Sequence, residues 1–419
     1  MTCCKCEEYE WDDPQEVVYT DSNSNEYCLF HAPEEDKMCP NAWFSGLVYK
    51  RIQDAINNDD KEKECNFSGT IFPGRIIFHQ FDSDNPLPRI NFDNAIFCKD
   101  VDFSSTVFSD DASFSNTHFE GKVSFEGTTF KVRTSFFETL FMSNVLFDTG
   151  IYDEQPTVFE KGVDFIKCTF DYSMFKGVKW RNSFAFSQCK IIRKLDIIDC
   201  KVYYHGFIYA DVENINFINV TWEDDKSLGN YLIQTNDCTL IQRYRDFYQR
   251  MKAKYKAENN EYEASQWHIA EKEAQLKLLK TTTTPLLRSI WTSCINMKLP
   301  SFHAIEKRTI FHALRIYKLL SGFGENPFQA SLCLLFFLFL PFICVGLWEF
   351  CSTGFSSSFD KEKVEFIFKT GVRSIPFTKM PPGDSNYSWW NYLLMTFSQL
   401  LITFQAALFA LAVRNKFRR

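Results

Sequence analysis

Two short pairs of metal-capable side chains stand near the start of this 419-residue sequence: Cys3-x-x-Cys6 and Cys28-x-x-His31. A two-residue spacer turns two ligands toward one point, and two such pairs complete a tetrahedral site of the kind zinc takes. The 21 residues between the pairs are enough for a loop that returns the second pair to the first. Cys4 and Cys39 are alternative ligands. Four protein ligands would close the site to substrate, so the expected role is a structural zinc rather than a catalytic one. A redox role, or thiols with no joint role, are the competing readings. The first 40 residues otherwise hold 11 Asp or Glu against Lys5 and Lys37, so this segment needs something such as a metal to hold it in place.

The other chemistry-bearing residues are scattered. His79, His118, His205, His303 and His312 are isolated, and Trp267-His268 sits where a packing role on a helix is the plainer reading. No nucleophile elbow, phosphate-binding loop, zincin motif or dinucleotide fingerprint occurs, so no enzyme is expected. A net charge of -7 argues against a large basic face for nucleic acid. The opening MTCCKCEEYEWDD has no apolar run, so no secretory signal is expected, and the 15 Cys read as reduced thiols of a cytoplasmic N-terminus.

The elements that must position these residues are announced by Phe, of which there are 45. Phe92, Phe97, Phe103, Phe108, Phe114, Phe119, Phe125, Phe130, Phe136, Phe141 and Phe147 follow one another in alternating steps of five and six. A strand wants period 2 and a helix 3.6. Two residues before each Phe from Phe97 onward is a small or β-branched residue: Ala95, Val101, Thr106, Ala112, Thr117, Val123, Thr128, Thr134, Thr139 and Val145. The unit is (A/V/T)-x-F-x-x with an extra residue after every second copy. A unit this short cannot bury its own ring, but stacked coils of about 22 residues would bury a continuous column. Weaker copies flank the run, from Phe67 upstream to Trp222 downstream, with breaks at Pro86–Pro88 and at 148–158.

These units resemble the pentapeptide-repeat family. The resemblance implies a mainly β fold, a right-handed quadrilateral β-helix, placed here at 66–224, whose Phe rings are core. The Cys-x-x-His element, the segment RYRDFYQRMKAKYKAENNEYEASQWHIAEKEA, the motif RIYKLLSGFGENPFQA and the ending LFALAVRNKFRR are similar to parts of membrane-bound members of that family.

The remaining segments follow from composition. Residues 1–45 form an acidic, Cys-rich N-terminal segment. Residues 227–280 show helical spacing at Leu240, Tyr244, Phe247, Tyr248, Met251 and Tyr255, then Asn259-Asn260 and a second helix, an αα-hairpin connector. Its basic residues from Arg243 to Lys256 face either anionic lipid or solvent. TTTTP at 281–285 is a break, and 286–325 reads as a juxtamembrane helical segment. Residues 326–349 and 387–413 are uncharged apart from Glu349 and long enough to cross a bilayer, the first with a kink expected at Pro341. Tyr387, Trp389, Trp390 and Tyr392 form an interfacial aromatic belt. Cations before the first span and in the 414–419 tail put both termini in the cytoplasm and 350–386 outside the cell (inner) membrane. Thr396, Gln399, Thr403, Ala406 and Ala410 share one face of the second span, suited to helix packing or to lining a pore.

The reading that fits these parts is a non-enzymatic, membrane-anchored scaffold, bound to the lipid bilayer, forming a homo-oligomer and engaging an unidentified cytoplasmic protein. The alternative is an oligomeric pore or ion-transport protein gated by its β-helix, serving as a stress or defence effector. No potassium-type filter sequence lies between the spans. A third reading is DNA mimicry, as in soluble pentapeptide-repeat proteins that protect gyrase. Residues 92–148 carry nine acids against four bases. Membrane tethering speaks against it, and no nucleic-acid partner is expected.

Overall fold

Steps of five and six residues become short parallel strands that climb one coil at a time. Ala112 pairs with Ile90 in the coil before and with Thr134 in the coil after, 22 residues each way. The spacing widens to 25 at Cys65–Ile90, around Pro86 and Pro88, and to 29 at Thr134–Val163, across the 148–158 insertion. The structure is a computed structural model describing residues 2–13, 15–37, 39–57, 64–150, 154–222, 237–282, 302–353, 361–376 and 389–417. The break at 283–285, the 286–301 part of the juxtamembrane segment, Tyr387, the Trp389 side chain and the last two arginines lie outside the described residues. The chain divides into two compact units, Met1–Lys226 and Ser227–Arg419.

The first unit is a β-solenoid of about seven turns, with strands from Cys65 to Trp222. Phe67, Phe92, Phe114, Phe136, Phe165, Phe186 and Phe207 form one column, rings stacked at 4.8–5.6 Å. Three more columns stand beside it: Phe72 to Phe170, Phe78 to Phe175, and Phe108 to Trp180. Within a column the rings are nearly parallel. Between columns they meet edge to face, as Phe103 and Phe114 do at 84°, so each ring uses both favoured aromatic geometries. Ile191 continues the second column and Phe207 the first, where the Phe pattern fades in the sequence.

Local chemistry explains the alternation. The five-residue steps turn through a left-handed residue two places after the Phe: Gly69, Asn94, Ser105, Asn116, Gly127, Glu138, Lys167, Gly177 and Gln188. Gly and Asn adopt that conformation at least cost. The small position two places before the Phe does more than make room. Thr117, Thr128, Thr139 and Thr157 each donate a side-chain hydrogen bond to a Phe carbonyl one coil earlier, at 2.6–2.8 Å. Cys168, Cys189 and Cys200 make the same bond higher up.

In the second unit, α3 (Cys238–Ala257) and α4 (Glu261–Thr282) form the expected hairpin. Asp237 starts α3 by accepting from the N–H groups of Thr239 and Leu240. Asn259, in the left-handed region, helps to turn the chain between the two helices. The buried stripe begins at Ile241 rather than Leu240, because Ile241 lies on the same face as Tyr244, Tyr248 and Tyr255. Trp267 is buried against Phe247 and Tyr248. Helix α5 (Phe302–Ser321) leads through a Gly322-Phe323-Gly324 turn, all three at positive φ, into α6 (Pro327–Thr353). Asn326 caps α6 and Pro327 occupies its first turn. Pro341 lies inside one continuous α6. The 350–386 stretch is not a plain loop. It contains α7 (Lys361–Arg373), with Val364, Ile367 and Phe368 at helical spacing and a Glu365–Lys369 ion pair at 2.7 Å. Helix α8 (Trp389–Phe417) packs on α6.

Two stretches, Pro327–Trp348 and Tyr392–Phe417, are long and apolar enough to cross a membrane. Leu335, Phe336, Phe339, Leu393, Phe397, Leu400 and Phe404 are exposed on them. Few of their residues are buried, unlike the core helices of a soluble protein.

Candidate metal centre

The N-terminal ligand pairs are brought together by a helical turn and a hairpin. Cys3 immediately precedes α1 (Cys4–Glu8), which carries Cys6. Strands β1 (Val17–Thr20) and β2 (Glu26–Cys28) pair antiparallel and return Cys28, and a turn after it delivers His31. Cys3, Cys6, Cys28 and His31 are all buried, and their ligand atoms lie within 4.8 Å of one another. Cys6 Sγ is 3.7 Å from Cys28 Sγ, and the three sulfurs are 3.2–3.5 Å from His31 Nδ1. A tetrahedron with zinc–sulfur bonds of about 2.3 Å has sulfur–sulfur edges of about 3.8 Å, so the donor set has the size such an ion requires. Cys4 and Cys39 are not part of the group.

The group's protonation also suits a metal. Burial raises the Cys3 thiol, and the contact with Cys28, then burial, pushes Cys6 up to about 12. Left alone these thiols keep their protons. A cation in the centre would supply the charge that draws them off. His31 Nε2 donates to the Ser68 carbonyl at 2.9 Å, so Nδ1 is the ring nitrogen that faces the sulfurs. A carbonyl partner behind a histidine ligand is the usual way such a ring is held in one tautomer. The four residues therefore form a buried group that could hold a metal ion. Beneath it Lys37 is buried over the Phe44 ring, donating to the carbonyls of Leu29 and Phe30, and burial lowers its ammonium to about 7.

Residues 92–140 match the family model for pentapeptide repeats, in nine copies. The solenoid is built of pentapeptide repeats. No curated protein matches the chain. No solved structure matches it either.

In a pentapeptide-repeat solenoid each coil satisfies the next, so the first coil has unpaired ladder groups. Here the N-terminal segment and α2 (Asn41–Ile56) supply the missing partners. On the first face, carbonyls of the second coil, Asn91 and Asp93, accept from Phe67 and Gly69. The matching carbonyls of coil one are those of Asn66 and Ser68. Arg51 Nε donates to Asn66 at 3.2 Å, and Trp11 Nε1 and His31 Nε2 donate to Ser68. On the second face the free donor is Ile71 N–H, which finds the Phe30 carbonyl at 2.9 Å. On the third, Tyr49 donates its hydroxyl to Ile77 at 2.8 Å. Phe30 and Phe44 extend the aromatic columns over Phe67 and Phe72, and Arg51 lies 4.4 Å over Trp11. The two spaced pairs read from the sequence are the four residues that come together here. Nothing in the sequence marks Trp11, Tyr49 and Arg51, whose partners in the first coil are backbone atoms of residues up to 57 positions away.

Apart from Gln399, the second-span stripe lies off the buried face of α8. Thr396, Thr403, Ala406 and Ala410 are exposed and Gln399 is half-buried. Thr396 and Thr403 return their hydroxyls to the carbonyls of Tyr392 and Gln399 in their own helix. Gln399 donates to the Arg373 carbonyl at the end of α7, at 2.8 Å. The buried face is Met395, Ser398, Ile402, Gln405 and Ala412. Gln405, hidden in an apolar run, donates to the carbonyls of Leu320 and Ala330.

Proposed function

We propose that the protein is a non-enzymatic scaffold, anchored in a membrane by α6 and α8, whose zinc-closed solenoid presents a fixed polar surface to a cytoplasmic protein. The observation that supports it most is the closed end of the solenoid. A buried four-residue metal group and a capping helix make the repeats a finished, rigid body rather than a site open to substrate. Its outward ladders are short polar side chains, such as the half-buried Ser113–Asp93 pair, which offer hydrogen bonds at repeating heights. Zinc, when bound, supplies structure here and no reaction step. Both termini lie in the cytoplasm, on the asymmetry of cations around the spans.

The exposed Thr396, Thr403, Ala406 and Ala410 face supports self-association through α8, since small residues let helices approach closely in lipid. The same face favours a second reading, an oligomeric pore. Ion flux through liposomes carrying the full-length protein separates the two. Flux that Gln399→Leu abolishes would replace the scaffold with the pore; no flux, with the protein folded and inserted, is the result expected.

A further inference from the structure

A cavity of about 350 Å³ lies in the second unit, beside the turn between α5 and α6 and the last turn of α8. Its lining mixes charges. Lys256, His268 and Arg414 offer donors, Glu261 and Glu325 offer carboxylates, Glu325 also accepting from Asn415 Nδ2 at 3.4 Å, and Ala264, Phe323 and Leu411 line the rest. Two cations and two carboxylates around one cavity do not suit a purely anionic ligand, which would face two like charges. They suit a molecule carrying one charge of each sign.

The cavity's level along the helices is fixed. Asn415 Nδ2 donates to the Gly324 carbonyl at 3.0 Å, so the end of α8 lies beside the start of α6. Gln405 ties α8 to Leu320 in the same region. The charge-free run of α6 begins at Asn326, directly after Glu325, and that of α8 ends at Val413, directly before Arg414. On the membrane reading above, on which this inference rests, the cavity stands at the hydrocarbon boundary, where lipid headgroups are. One turn past Glu325, α6 turns exposed Phe328, Leu332 and Leu335 outward, a surface for acyl chains.

We propose that this cavity binds the headgroup of a zwitterionic phospholipid bearing a phosphate and a primary ammonium, as in phosphatidylethanolamine. Arg414 and Lys256 receive the phosphate, where charge-assisted hydrogen bonds are strongest. Glu261 and Glu325 receive the ammonium, whose three N–H groups a choline headgroup lacks. The pairing excludes phosphatidylglycerol by its missing cation.

The test reconstitutes the full-length protein in vesicles of equal phosphatidylethanolamine, phosphatidylglycerol and phosphatidylcholine, extracts it in mild detergent, and measures retained lipid by native mass spectrometry. Retained phosphatidylethanolamine should exceed either other lipid, and Arg414→Gln and Glu325→Gln should each reduce that excess about tenfold. Lys179→Ala, on the solenoid, should leave it unchanged. Equal retention of the three lipids, or an excess that survives both substitutions, overturns the site. Soluble O-phosphoethanolamine should displace the lipid only at concentrations far above that of the lipid; equal displacement at equal concentration would make the free headgroup, not the lipid, the ligand. Alkaline carbonate extraction of the same vesicles reports separately on anchoring: a chain that stays without selectivity overturns the site alone, and a chain that washes off overturns the membrane reading with it.

Discussion

His31 joins Ser68 through a 2.9 Å hydrogen bond from Nε2, while its Nδ1 faces three cysteine sulfurs. One ring thus connects the candidate metal centre to a ladder carbonyl of the first coil. Metal occupancy and the order of that coil should change together. The full-length protein should carry close to one zinc per chain by elemental analysis, and Cys6→Ala or Cys28→Ala should lose it. Hydrogen exchange should then rise over residues 65–78 and stay low over 112–147. Protection of 65–78 that survives metal removal would separate the two.

Gly69 adopts φ +68, and a Cβ there would lie 2.0 Å from Tyr9 Cε2 in the segment that carries the candidate ligands. Gly177 has a similar φ, +62, but its Cβ would meet only Thr149 Oγ1 at an ordinary 3.7 Å. Both Gly→Ala changes pay the left-handed cost of about 1–2 kcal/mol. Only Gly69→Ala should also weaken zinc retention, because it displaces Tyr9. Thermal unfolding together with zinc content reads both effects.

Thr128 and Thr106 occupy the same position in successive coils, two residues before Phe130 and Phe108. Thr128 donates to the Phe103 carbonyl at 2.7 Å. The Thr106 hydroxyl is buried with no partner among the described residues, because the coil before it is irregular around Pro86 and Pro88. Thr128→Val should destabilise the solenoid by about 1 kcal/mol, whereas Thr106→Val should be neutral or stabilising. Chemical denaturation of the two variants checks the sign of each.

Glu271 sits in the α3–α4 hairpin among Lys252, Lys272 and His268. Burial alone would raise its carboxyl, but hydrogen bonds from His268 and Lys252 and the nearby lysine charges outweigh it and hold it at about 2. A lowered folded value means that the stabilisation is present above the unfolded value near 4.5 and is lost as pH falls toward 2. At neutral pH Glu271→Gln should cost roughly 3 kcal/mol, on the scale of 1.36 kcal/mol per pKa unit. Acid titration of the helical circular dichroism signal should show a weaker dependence between pH 4.5 and 2 in the variant.

The repeat is legible because its two recurring demands leave marks at fixed spacing: a ring in each column and a small residue beside it. The alternation of five and six was visible before its cause was. Asn94, Ser105, Asn116 and Gly127 mark the left-handed turn, but Glu138, Lys167 and Gln188 hold the same conformation without announcing it. Phe207 was hidden because a 3₁₀ turn, Tyr204–Phe207, replaces the strand that would have set its spacing. Helix α7 leaves little mark in the sequence, being a 13-residue segment with charges at both ends. The candidate ligands could be read as two pairs. The coupling of His31 to the first coil could not, since Ser68 contributes a backbone oxygen that no side-chain pattern reports.

Parallel coils all run the same way, so the first coil has the edge that another solenoid's last coil would match. The residues that cover it here, Arg51, Trp11, His31, Phe30 and Tyr49, stop an addition that would otherwise have no built-in limit, as a chain terminator stops a polymer. His31 belongs both to that cover and to the candidate metal group, so the four residues of the group stand where one rod would otherwise meet the next.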